Sequence, residues 1–125
     1  MVKVQTKVNC GNSPKMRFIE NFNMAFAKGD TAFIAKSVTD DIVWNRVGDK
    51  AIIGKEDLMQ NLTLIKDPTI SEMAIEKIIT HGKEGSANGT VKMTNGEIYA
   101  FADIYEFNSA KATTIKSITS FLIKV

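Results

Sequence analysis

The chain has 125 residues, a formal charge of +2 and a single cysteine, Cys10. That length fits one domain able to bury its own core, and the small, scattered positive charge gives no basic patch for nucleic acid. One cysteine excludes an internal disulfide and fits a reducing compartment. With no signal-like apolar start and no long apolar run, the expectation is a soluble, cytoplasmic protein without a membrane partner.

Residues 1–12 read as an arm. Val2, Val4 and Val8 allow a short strand there, which Asn9-Cys10-Gly11-Asn12 interrupts. Ser13-Pro14 starts a helix, with serine as N-cap and proline at the first helical position. Phe18, Ile19, Phe22 and Phe26, and less deeply Ala25, recur at helical spacing until Gly29 stops the run. Asp30 caps a second, shorter helix carrying Phe33, Ile34 and Val38. Asp40-Asp41 turns into a strand over Ile42–Val47, with Ile42, Trp44 and Arg46 on one face. Gly48-Asp49 is a hairpin turn, and residues 50–53 are a short return. A third helix follows Gly54, with Leu58, Met59, Leu62 and Ile65 at its spacing and Asp67-Pro68 at its end.

From Thr69 the pattern changes to strands. They are expected at 70–81, up to Thr94, across 96–107 and over 113–124, with turns at 82–85, at Asn95-Gly96 and at 108–112. Helices first and strands afterwards predict an α+β fold, an antiparallel sheet with helices on one face. The third of these strands is the informative one. Alternation puts Tyr99, Phe101, Asp103, Tyr105 and Phe107 on one face and Ile98, Ala100, Ala102, Ile104 and Glu106 on the other. A carboxylate set in a row of rings needs a partner, a shifted pKa or a task. The other candidates are weaker. His81, the only histidine, sits beside a glycine turn, and Cys10 lies in the arm. Their spacing makes no metal site, and no phosphate loop or dinucleotide motif occurs, so no cofactor is expected.

Several segments taken together resemble the nuclear transport factor 2-like superfamily, which includes SnoaL-like proteins and ketosteroid isomerase. They are Ala27-Lys28-Gly29-Asp30, Thr39-Asp40-Asp41-Ile42-Val43-Trp44, Ile53-Gly54-Lys55-Glu56, His81-Gly82-Lys83, Asn95-Gly96, Ala102-Asp103-Ile104-Tyr105-Glu106-Phe107 and Ile115-Lys116-Ser117-Ile118-Thr119-Ser120-Phe121. Their order and spacing carry the resemblance, which covers residues 13–125 as a single domain. It implies a cone-shaped α+β barrel, a curved sheet wrapped against three helices around a pocket, and commonly a homodimer. It does not imply one activity, since isomerases, hydrolases, cyclases and binding modules share the fold.

The resemblance also allows a residue-by-residue comparison. Ketosteroid isomerase uses an aspartate base and an oxyanion hole made by a tyrosine and a protonated aspartate. The matching positions here hold Arg46, Phe22 and Asp103, so one group of the three is present. Limonene epoxide hydrolase, which uses two aspartates and an arginine, is matched by Arg46 and Asp103 without a second inward aspartate.

Asp103 is therefore the candidate catalytic residue, with Phe22, Trp44, Arg46, Phe101 and Tyr105 as candidate substrate-binding residues. Asp103 can equally be a structural acid paired with Arg46 or a tyrosine hydroxyl, and Arg46 can clamp an anion or close a salt bridge at the pocket mouth. A close Arg46 would hold Asp103 ionised. An Arg46 turned toward water, as its place beside the hairpin suggests, leaves Asp103 with a raised pKa. The reading is a small-molecule-binding cone domain acting on a compact apolar substrate as a lyase, isomerase or hydrolase. The alternative is a dimeric interaction module without chemistry.

Overall fold

The computed structural model describes residues 2–11, 13–63, 69–111 and 113–125. Helix α1 spans Pro14–Lys28 and opens as the sequence predicts: the Met16 amide donates to Ser13 Oγ at 3.2 Å. It ends at Gly29, whose φ of 74° lies in the left-handed region that glycine adopts without strain. Asp30 then caps α2 (Thr31–Lys36), its Oδ1 accepting from the Phe33 amide at 3.1 Å. Helix α3 spans Lys55–Thr63. Ile65 and the stop at Asp67-Pro68 lie outside the described residues.

Among the described residues seven strands form one curved sheet: β1 (Lys3–Thr6), β2 (Val38–Arg46), β3 (Ile52–Ile53), β4 (Ile70–His81), β5 (Glu84–Met93), β6 (Ile98–Phe107) and β7 (Ile115–Lys124). Their order is β1-β4-β5-β6-β7-β2-β3. The meander β4 to β7 and the β2–β3 hairpin are antiparallel, as expected. The β1–β4 and β2–β7 junctions are parallel, so the sheet is mixed. Both parallel junctions join strands separated by helices, because a parallel pair needs a crossover rather than a tight turn. The segment before α1 thus contributes an edge strand. Strand β2 begins earlier than the alternation suggests, at Val38, with a register shift before Val43.

The sheet bends around α1, which packs across β4 and β5. At Gly89 on β5 the neighbouring strand comes too close for a side chain. A Cβ there would lie 1.9 Å from the Ala74 carbonyl oxygen, beside a register shift in β4. Inside the curve, Phe18, Phe33, Phe107 and Ile115 close one part of the core. Phe107 and Ile115 are fully buried, which contributes about 1.5–3 kcal/mol each, and Phe18 and Phe33 are partly buried against them. Lys15 locks that part from outside: its ammonium donates to the carbonyls of Gly82, Ser109 and Ala110 and lies 4.4 Å from the Phe107 ring centroid. On α1 the expected ranking of Ala25 and Phe26 is reversed. Ala25 is buried and Phe26 only half-buried, because Phe26 faces an open space rather than packed neighbours.

Candidate functional site

That open space is a cavity of about 800 Å³ between α1, the sheet and the β2–β3 hairpin. Phe22, Trp44, Arg46, Phe101, Asp103 and Tyr105 all line it, so the candidates read from the sequence converge on one wall system. Phe26, Met73, Val91 and Met93 widen its apolar surface. Tyr99, although on the same face of β6, is not among the lining residues and donates to Glu97 at 3.3 Å. His81 is exposed. Cys10 is buried, and burial pushes its thiol pKa up, the opposite of an activated nucleophile.

Asp103 occupies the middle of β6, paired across the ladder with Ala87 on β5 and Ser120 on β7. Two residues further along the same face stands Tyr105, 1% exposed. Its hydroxyl is held from the helix side. Asn23 Nδ2 donates to the Ile19 carbonyl at 2.9 Å and to Tyr105 Oη at 3.0 Å. Since the Ile19 carbonyl can only accept, the nitrogen of Asn23 must face this pair. Tyr105 therefore accepts from Asn23 and donates its own proton to Asp103 Oδ2 at 3.3 Å. The second side repeats the logic. Trp44 Nε1, which can only donate, gives its proton to Ser120 Oγ at 2.8 Å. Ser120 is then free to donate to Asp103, to which it is hydrogen-bonded. Two chains of donors, Asn23–Tyr105 and Trp44–Ser120, thus converge on one carboxyl group.

The electrostatics follow from this enclosure. Burial raises the Asp103 carboxyl to about 6, and the bonds from Ser120 and Tyr105 hold it from rising further. Burial, then the neighbouring Asp103 charge, pushes the Tyr105 phenol well above its usual range. Arg46 does not supply a counter-charge. Its Nε and Nη2 donate to the Lys50 carbonyl at 3.0 and 2.7 Å, and Nη1 lies 3.7 Å from Asp49. Those contacts turn it along the hairpin. Near neutral pH the arrangement presents a mostly ionised carboxylate that accepts hydrogen bonds and protons. As the pH falls through about 6 it becomes a neutral donor. Among the described residues no three His, Cys, Asp or Glu side chains converge as metal ligands.

Two members of the network, Asn23 and Ser120, are absent from the sequence-derived candidates. Each had a signal. Asn23 falls four residues after Ile19 and one after Phe22, a polar residue on the apolar stripe of α1. Ser120 shares the inward parity of Ile118 on β7. Their meaning emerges only once the β6–β7 register sets Ser120 opposite Asp103.

No protein-family model and no curated protein matches this chain. Solved structures do. An NTF-2 like protein of unknown function from Burkholderia xenovorans LB400 superposes with a TM-score of 0.75 at 17% identity, covering 89% of this chain and 84% of that one. A protein assigned as a SnoaL-like polyketide cyclase from Shewanella denitrificans OS-217 gives 0.75 at 12% identity over 89% and 91%. An LEH-like epoxide hydrolase from M. tuberculosis gives 0.72 at 18% identity over 86% and 81%. At these identities the likeness speaks for architecture rather than activity. The chain therefore has the nuclear transport factor 2-like fold, three helices against a curved, unclosed mixed sheet.

Proposed function

We propose that this protein binds a compact, largely apolar small molecule in the cavity, and that Asp103 takes a proton or a hydrogen bond from it. The reaction class this supports is lyase, isomerase or hydrolase chemistry with Asp103 as the proton-handling group and Phe22, Trp44, Phe101 and Tyr105 as walls. Arg46 contributes at the hairpin side of the cavity. The observation that carries the reading is the pairing of a cavity-facing carboxyl, raised to about 6, with two hydroxyl donors and mostly apolar walls. A base that titrates close to neutrality is suited to proton transfer. Native mass spectrometry of the purified protein, followed by a ligand screen read by Trp44 fluorescence, tests it. The expectation is a co-purifying or quenching small molecule, and a cavity that takes up none would remove the basis for the proposal.

A second reading, a homodimeric interaction module without chemistry, draws support from the outer face of the sheet. Ile98, Ile104, Phe121 and Ile123 are 41%, 48%, 39% and 64% exposed, a concentration of apolar side chains that suits an interface. We place the self-association of this chain on that face in either reading, and its working environment in the cytoplasm. No helix among the described residues is long and apolar enough to cross a membrane. Light scattering at micromolar concentration checks the dimer: a monomer there would refute it.

A further inference from the structure

Arg46 and Lys28 line the cavity, yet no positive charge pairs with Asp103, and that points to the ligand. Asp103 accepts from both hydroxyls that reach it, and each of those is already satisfied from behind by Asn23 or Trp44. While Asp103 is ionised, both hydroxyls direct their single protons at it. What remains at the carboxyl group is acceptor capacity directed at the cavity. Among the described residues no lysine, arginine or histidine lies within ion-pair range of it, and Arg46, the nearest candidate by sequence, is held by Lys50 and Asp49. A carboxylate enclosed by apolar walls without a counter-charge is costly. The walls are of a specific kind. Phe22, Phe26 and Trp44 lie together, with the Trp44 centroid 6.4 Å from Phe22 and 5.7 Å from Phe26, and Tyr105 meets Phe22 edge-on at 6.1 Å. Aromatic faces attract a cation, and so does the carboxylate.

We infer that the cavity selects an apolar molecule carrying a protonated amine, whose ammonium supplies the missing counter-charge of Asp103 while its body lies against Phe22, Phe26 and Trp44. This rests on the reading that the cavity holds a small molecule in contact with Asp103, and narrows it from any hydrogen-bond donor to a cationic one. The ammonium also brings a proton to the carboxylate, which fits a site whose other donors are committed.

Trp44 is the only tryptophan and lines the cavity, so its emission reports occupancy without a label. The probes are adamantylamine, adamantanol and adamantanecarboxylate, which share one apolar body and do not absorb where tryptophan is excited. At pH 7.5 the amine is expected to bind at least about tenfold more tightly than the alcohol, since one charge-assisted hydrogen bond is worth that much or more, and the carboxylate more weakly than both. Asp103→Asn is expected to bring the amine down to the affinity of the alcohol. Equal binding of amine and alcohol by the unmodified protein would overturn the inference while leaving an apolar ligand site in place. An amine preference that survives Asp103→Asn would also overturn it, by placing the attraction elsewhere, with Asp49 the next anion on the cavity wall. Failure of all three probes to bind would sink the underlying cavity reading together with the inference. The comparison of amine with alcohol needs no variant, so it decides the matter even if Asp103→Asn does not fold.

Discussion

The two halves of the interior are built from the same residue types and behave differently. In one half, Phe18 of α1 packs 5.7 Å from Phe107 and 6.1 Å from Phe33, and Phe107 and Ile115 have no exposed surface. In the other, Phe22 and Phe26 of the same helix stand beside Trp44 and face about 800 Å³ of space. The boundary between them is polar: Asn23, Tyr105 and Asp103 cross the core between helix and sheet. Aromatic content alone does not distinguish a core from a pocket. What distinguishes them is whether the rings close on a fully buried neighbour such as Phe107 or stand on open space, and where a buried polar chain begins.

The comparison can be broken most directly by truncation. Phe107→Ala should cost about 3–5 kcal/mol because it opens a void in a filled region. Phe26→Ala should cost less than half as much, since one side of that ring already lacks neighbours. Urea denaturation of both variants checks this, and equal losses would mean that the two halves are packed alike.

The polar boundary makes a prediction about pH. Asp103 titrates near 6 in the folded chain against an ordinary 3.8. The folded state thus holds its proton more tightly than the unfolded chain does. The resulting stabilisation is complete below pH about 4 and is lost as the pH rises through about 6, on the order of 2–3 kcal/mol. Asparagine does not titrate. The stability of the parent relative to Asp103→Asn should therefore fall by that amount between pH 4 and 7. A difference that stays constant over this range would contradict the placement of Asp103 away from counter-charges.

Smaller effects sharpen the contrast. Lys15→Met keeps an apolar stem over Phe107 but removes three carbonyl contacts, and should cost about 1–2 kcal/mol in thermal unfolding. Its effect belongs to the packed half, so ligand binding in the cavity should change little; a large loss of binding would show that the halves are coupled. The smallest expected effect is none at all. With Phe22 and Arg46 at two of the three positions that the resemblance matches to those used in steroid isomerisation, a 3-oxo-Δ5 steroid is expected not to be isomerised above background. Turnover abolished by Asp103→Asn would reverse that conclusion.

Much of this was legible before any coordinates. Period-two alternation put Phe101, Asp103, Tyr105 and Phe107 on one face of β6, and Ser13-Pro14 and Gly29 bounded α1. These signals are local, and local chemistry suffices to produce them. The parallel pairing of β2 with β7 and of β1 with β4 was not legible, because it depends on contacts between distant segments. Arg46 illustrates the limit within the site. Its position on the inward face of β2 was readable, but its bond to the Lys50 carbonyl depends on the shape of a particular hairpin. Ser120 became meaningful only through register, and Asn23 only through the tyrosine that it meets.

The parallel β2–β7 junction has a kinetic consequence. It pairs Trp44 with Ile118 and Asn45 with Thr119, residues far apart in the chain, whereas β4 to β7 pair through successive short turns and loops. Loop closure on that scale costs entropy before any contact offsets it. We expect the meander to assemble first and β2 to dock last, so the Trp44–Ser120 bond, and with it the cavity wall, forms at the end of folding. In a stopped-flow refolding experiment the Trp44 signal should then lag behind the far-ultraviolet circular dichroism of the strands; if the two rise together, β2 is not the last strand in place.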